Sequence, residues 1–231
     1  SQSIAVADVD GINGPDIIVA NAGTQANEIY LNDGTGNFPT GTPFGGNNDS
    51  QSIAVADVDG INGLDIIVAN ASGQTNQVYL NDGTGNFPVG TSFGGNNDSQ
   101  SIAVADINGI NGPDIIVANA GTQANQVYLN NGSGSFSAGT SFGTNDSQSI
   151  VLVNVDGDTD LDIIVANASG EANQVYLNDG LGNFTDSGQS LGTSDSQSLA
   201  VADVDADGDD DIAIANAAQG NTVYMSSLAD N

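Results

Sequence analysis

The chain has 231 residues, 38% of them apolar, which is enough for a real core in one large domain or two small ones. Its 27 Asp and two Glu, Glu28 and Glu171, stand against no Lys, Arg or His, for a formal net charge of −29. Such a balance repels phosphate, which argues against nucleic acid and anionic membrane as partners, and the absence of His and Cys excludes Ser–His and Cys–His nucleophilic catalysis.

From the first residue onward there is no charged leader region, no apolar run of transmembrane length and no transit-type helix. The chain opens at Ser1-Gln2-Ser3, one residue into an Asp-Ser-Gln-Ser motif that recurs at Asp49, Asp98, Asp146 and Asp195. The start therefore reads as a processing boundary of a mature or trimmed form. Aligning the first acidic position gives Asp8, Asp57, Asp106, Asn154 and Asp203, with steps of 49, 49, 48 and 49. Five repeats follow from this, 1–49, 50–98, 99–146, 147–195 and 196–231, in a single domain 1–231.

In the first repeat the expected strands are Ser3 to Val9, Asp16 to Ala22, Asn27 to Asn32 and Asn37 to Phe44, with an acidic loop after the first and an Asn-Asp-Gly turn after the third. Nothing shows a helical period. Four short antiparallel strands in about 49 residues describe a β-propeller blade, whereas β-solenoid coils, the alternative, repeat at roughly 20–30 residues. The expectation is an all-β, five-bladed β-propeller of four-stranded antiparallel blades. Within a blade, Ile4 and Val6 alternate with Ala5 and Ala7, and the Ile-Ile-Val triple of the second strand predicts burial on both faces, between neighbouring blades of a ring. Tyr30, Tyr79, Tyr128, Tyr176 and Tyr224 share one position and are read as packing residues rather than sugar contacts. The last repeat has no counterpart of the fourth strand. Its edge is covered by the tail Ser226 to Asn231, tolerated as it stands, or open to β-augmentation by another subunit, which would build a filament.

The sharpest chemistry lies at Ser198 to Asn216, where Asp203, Asp205, Asp207 and Asp211 are spaced two, two and four residues apart around the bend at Gly208. Carboxylates so spaced on a tight loop converge as a hard cation requires. The plain alternative is a solvated acidic turn. An EF-hand is set aside, because its bidentate Glu would fall on Ile214 and the flanks read as strands.

The pattern D-x-D-x-D-G-x-x-D, followed by DIIVAN-type strands and an NDGxGxF turn, resembles the VCBS and FG-GAP repeats of bacterial surface proteins, fungal lectins and integrin α-chain propellers. That resemblance covers essentially the whole chain. It implies that each acidic loop joins the innermost strand to the second and binds Ca2+. In the last repeat it implies ligation by Asp203, Asp205, Asp207 and Asp211 with the carbonyl of Asp209. In the fourth it implies Asn154, Asp156, Asp158 and Asp162 with the carbonyl of Asp160, Thr159 replacing the bend glycine. The first three repeats depart from the pattern. Asp8, Asp10 and Asp16, Asp57, Asp59 and Asp65, and Asp106, Asn108 and Asp114 keep their places, but Ile12, Ile61 and Ile110 occupy the middle ligand position. A weaker calcium site, a sodium or water site and an empty tight turn are all open there.

Three function classes follow. The leading one is a non-catalytic, calcium-binding module of the cell surface or extracellular space, used for structure, adhesion or self-assembly; the lack of Cys fits a secreted chain that relies on metal. The second is a lectin with repeated glycan sites between blades. An enzyme comes third, as a glycosidase using paired carboxylates, since the Asp residues recur in every repeat where a catalytic pair should occur once. The sequons at Asn48, Asn97, Asn145, Asn131 and Asn183 are consistent with glycosylation or with chance in an Asn-rich chain.

Overall fold

The computed structural model describes residues 1–226. Strands β1 (Ser3–Ala7), β2 (Asp16–Ala20), β3 (Asn27–Tyr30) and β4 (Gly41–Phe44) form the first antiparallel meander. The second comprises β5 (Ser50–Ala56), β6 (Asp65–Asn70), β7 (Asn76–Tyr79) and β8 (Gly90–Phe93), and the third β9 (Ser99–Ala105), β10 (Asp114–Asn119), β11 (Asn125–Asn130) and β12 (Phe136–Phe142). The fourth comprises β13 (Ser147–Val153), β14 (Asp162–Asn167), β15 (Gln174–Asn178) and β16 (Phe184–Ser190). The last has only β17 (Ser196–Ala202), β18 (Asp211–Asn216) and β19 (Thr222–Tyr224). This is the expected all-β propeller of five blades, the last with three strands among the described residues. Most of the tail expected to cover its edge, 227–231, lies outside those residues.

Strand lengths follow local chemistry. The first two fourth strands start at Gly41 and Gly90, later than expected, because Pro39 and Pro88 have no N–H to give the ladder. Ser137 and Thr185 stand at those positions in the third and fourth blades, and there the strand runs from Phe136 or Phe184 and pairs with Leu129 or Leu177.

The innermost strands β1, β5, β9, β13 and β17 lie side by side near the axis, and the core sits between successive blades. Four apolar clusters fill four interfaces. In the first, Ala5, Ala7, Val9, Ile18, Ala20 and Ile29 of blade one meet Ile53, Val55, Ile66, Val68 and Tyr79 of blade two. Small Ala on one side receives large Ile on the other, which lets twisted sheets pack closely. Three of the five tyrosines are buried packing residues: Phe44–Tyr79, Phe93–Tyr128 and Phe142–Tyr176 meet edge-on with centroids 5.2, 5.2 and 4.9 Å apart, while Tyr30 and Tyr224 on the end blades are half-buried.

A polar chain crosses each interface as well. Asn27 Oδ1 accepts from Asn21 N (2.8 Å), Asn27 Nδ2 donates to Ser50 Oγ (3.1 Å), and Ser50 Oγ donates to Asn70 Oδ1 (2.8 Å). The same relay runs through Asn76, Ser99 and Asn119, through Asn125, Ser147 and Asn167, and through Asn173, Ser196 and Asn216. It explains the Asp-Ser-Gln-Ser motif, whose first Ser is the buried relay. Among the described residues no buried polar side-chain atom lacks a partner, as a dry interface requires.

Burial on both faces holds for β6, β10 and β14, every residue of which is buried, and fails at the two ends. Ile4 and Val6 are 62% and 65% exposed, whereas Ile53, Ile102 and Ile150 at the position of Ile4 are 7%, 8% and 5% exposed. On blade five, Ala200, Ala202, Ala215 and Val223 are exposed. Among the described residues no apolar cluster joins blade five to blade one. Among the described residues the ring expected from the repeats is an open arc, each end blade being covered on one side only.

Candidate metal centre

Each acidic loop connects a first strand to a second, and its backbone is bent by left-handed residues. Position four of the loop has positive φ in every blade, at Gly11, Gly60, Gly109, Gly157 and Ala206. Position six is positive too, at Asn13, Asn62, Asn111, Thr159 and Gly208, with φ of 113° at Thr159 and 99° at Gly208. A β-branched residue at such a φ is strained.

The curl is held by its own carboxylates. Asp8 Oδ1 accepts from Gly11 N and Asp10 Oδ1 from Ile12 N, both at 2.8 Å. In the last blade Asp203 Oδ1 accepts from Ala206 N (2.7 Å), Asp205 Oδ1 from Asp207 N (3.2 Å) and Asp207 Oδ1 from Asp209 N (3.0 Å). The structure brings three sets together: Asp8, Asp10 and Asp16; Asp57, Asp59 and Asp65; Asp203, Asp205 and Asp211. Each set has one oxygen per residue within 4.8 Å of the others. Asp207 stays outside the third set, and Ile12, Ile61 and Ile110 are 58%, 58% and 56% exposed where a middle ligand would stand. In the third and fourth loops an amide, Asn108 or Asn154, replaces one carboxylate. Asp156, Asp158 and Asp162 do not converge as a carboxylate set.

The last Asp of the loop does something that spacing alone does not reveal. Asp16 Oδ2 accepts from Val9 N (2.9 Å) and Oδ1 from Asn32 N (2.8 Å), so one buried carboxylate ties the acidic loop to the turn after β3. Asp65, Asp114, Asp162 and Asp211 repeat both bonds. The clue available in the sequence is that this Asp alone is present in all five loops while its partners drift to Ile or Asn. Burial pushes the carboxyls of Asp65, Asp114 and Asp162 above the ordinary range against the pull of these N–H groups. Asp211 is held below it by the N–H groups of Val204 and Ser226. Desolvation, then neighbouring Asp207, raises Asp205.

The acidic loops share one face with the Asn-Asp-Gly turns, and the two interlock between blades. Asn81 Nδ2 donates to Val9 O of the preceding blade (2.7 Å) and Leu64 O of its own (2.9 Å); Asn130 and Asn178 do the same to Val58 O and Ile107 O. On the opposite face Asp49 Oδ1 accepts from Gly23 N, and Asp98, Asp146 and Asp195 repeat that inter-blade bond. Of the sequon amides, Asn48 donates to Gly45 O, Asn97 to Gln126, Asn145 to Gln174 and Asn183 to Asp179.

The donor set passes the test for a hard divalent cation: carboxylate oxygens, three at a time, with no His or Cys in the chain to offer a softer donor. Among known proteins, the FG-GAP-like repeat matches residues 8–60, 62–109, 111–165 and 154–214. A lectin of Agrocybe aegerita specific for non-reducing terminal N-acetylglucosamine is similar in structure, with 26% identity, a TM-score of 0.55 and coverage of 81% of this chain and 51% of its own. The V. cholerae biofilm matrix protein Bap1 has 20% identity and a TM-score of 0.53 over 91% of this chain and 34% of its own. The rhamnogalacturonan lyase YesW has 15% identity and a TM-score of 0.59 over 98% of this chain and 49% of its own. The last two likenesses are of fold alone. This chain thus spans about half of the lectin and about a third of the biofilm protein, and no curated protein matches it. No helix among the described residues is long and apolar enough to cross a membrane. With the repeat matched along nearly the whole of residues 8–214, the chain belongs to the FG-GAP-like repeat family.

Proposed function

We propose that the protein is a non-catalytic, extracellular or cell-surface module that binds Ca2+ through its acidic loops and serves a structural or adhesive role. One observation carries the reading: carboxylate triads recur at equivalent positions on one face of a chain that has no Lys, Arg or His to balance them. The three convergent sets would hold the ion, with Asp207 and the carbonyl of Asp209 adding donors in blade five. The third and fourth loops, through Asp106, Asn108 and Asp114 and through Asn154, Asp156, Asp158, Asp160 and Asp162, bind more weakly, since affinity follows the number of charged ligands. Bound calcium neutralises the loops; Asp57, Asp59 and Asp203 position it, and Asp16, Asp65 and Asp211 also fix loop to turn. Calorimetric titration of chelator-treated protein, with melts in EDTA and in calcium, tests this. Saturable binding and a higher melting temperature in calcium are expected; no heat and superimposed melts would refute it.

A lectin is the second reading, favoured by the likeness to the fungal lectin and by clefts between blades such as that lined by Pro43, Phe44, Asn86 and Phe87. The buried tyrosines and the lack of Trp leave it short of aromatic platforms. A glycan array in calcium, led by terminal N-acetylglucosamine, decides between the two. Self-association belongs to the structural reading, the open edge of β19 being one route to it.

A further inference from the structure

The exposed faces at the two ends of the arc are two halves of an interface that the molecule already contains four times. Blade one presents the exposed Ile4 and Val6 with the half-buried Ile17 and Tyr30, position for position the set Ile53, Val55, Ile66 and Tyr79 that blade two seats on blade one. Blade five presents the receiving side, an apolar groove lined by Ala200, Ala213, Ala215 and Val223. Ala213 stands where the inner blades carry Ile18, Ile67, Ile116 and Ile164, which deepens the groove.

We propose that blade one of a second copy of this chain docks on blade five of the first, head to tail, repeating the internal blade contact. Two hydrogen-bond positions continue the pattern. At each inner interface an innermost-strand amide donates to a serine of the preceding blade, from Ile53 N to Ser3 Oγ (3.3 Å) through to Leu199 N to Ser149 Oγ (3.2 Å); Ile4 N and Ser198 Oγ are the next such pair. Asn32 and Val204 O likewise continue the clamps from Asn81 to Val9 O and from Asn130 to Val58 O. The two faces differ, so the contact is heterologous and grows by addition. It rests on neither calcium nor glycan binding. The charge of −29 opposes it, so association strengthens as salt screens that repulsion.

Sedimentation velocity over a concentration series in low and high salt tests the contact. One variant carries I4D and V6D, the other V204D and V223D; all four positions are exposed, so the monomer fold, checked by circular dichroism, is retained. The wild type should form a concentration-dependent ladder. Each variant alone should be monomeric, weakened at least about a hundredfold by carboxylates forced into an apolar contact. Their equimolar mixture retains one intact front and one intact back, and should give heterodimers and nothing larger. A wild type monomeric at every concentration and salt would overturn the proposal. So would self-association of either variant alone, which would mean two-fold packing of like faces or pairing through the β19 edge.

Discussion

Replacing Asn130 by Ala and, separately, Asn32 by Ala measures what a neighbouring blade contributes. Asn130 is 5% exposed; its Nδ2 donates to Val58 O of the preceding blade (2.8 Å) and Pro113 O (2.9 Å), and its Oδ1 accepts from Gly132 N (2.9 Å). Three bonds at about 1 kcal/mol each, with a buried carbonyl left unpaired, put the loss near 3 kcal/mol. Asn32 holds the same place in blade one, against which no other blade of the described residues packs on that side. It bonds Pro15 O (3.2 Å) and Gly34 N (2.9 Å) at exposed sites where water substitutes, so its removal costs below about 1 kcal/mol. Urea denaturation followed by far-ultraviolet circular dichroism, at concentrations low enough for monomer, reads both. A deficit about 2 kcal/mol larger for Asn130→Ala is expected; equal losses would mean that blade one is covered like the others and the arc is closed.

Thr159→Gly should stabilise the protein by up to about 1 kcal/mol, because a threonine at φ 113° carries strain that outweighs the chain entropy glycine adds, and Ala206→Gly should act the same way more weakly; thermal melts check both. Burial pushes the phenols of Tyr79 and Tyr176 up to about 12, from an ordinary 10. Their contribution to stability is therefore complete below pH 10 and lost as pH rises through about 12. Urea midpoints at pH 8, 10 and 11.5 should fall only over the upper interval, and Tyr79→Phe should soften the fall; a flat profile contradicts the burial argument. Gly85→Ala should cost more than Gly36→Ala. Both residues have positive φ, but only at Gly85 does the new methyl meet a neighbour, at 2.8 Å from Asp10 Cβ.

The repeat period, the blade, the short last blade and the packing role of Tyr79, Tyr128 and Tyr176 were all legible, because they follow from local alternation and from self-similarity. The open arc was not. Ile4 and Ile53 sit in nearly the same local sequence, SIAVADVDG, yet one is 62% and the other 7% exposed. The difference is whether another blade stands in front, which depends on the rotation added at each interface, and no single repeat encodes that sum. The candidate site was legible in its positions and less so in its geometry. The last loop matches the motif in full, yet Asp207 is outside its convergent set, while the first two loops, which lack the middle carboxylate, assemble triads nonetheless.

The reason those degenerate loops keep their shape is the paired use of the final Asp, and this separates structural from ion-binding roles by experiment. In blade two, Asp65 is fully buried between Val58 N (2.9 Å) and Asn81 N (2.8 Å), whereas Asp57 and Asp59 accept only from their own loop, at Gly60 N (2.7 Å) and Ile61 N (2.8 Å). Asp65→Asn turns an NH2 against one of two buried amides and should cost about 1–3 kcal/mol even in EDTA. The double change Asp57→Asn, Asp59→Asn keeps an acceptor oxygen for each loop amide. It should leave the EDTA melt within about 0.5 kcal/mol of wild type, the usual range for surface changes, while reducing the calcium-induced rise in melting temperature. Were the double variant to melt early in EDTA while Asp65→Asn did not, the carboxylates would have exchanged roles, and the loop would be held by the pair that faces solvent.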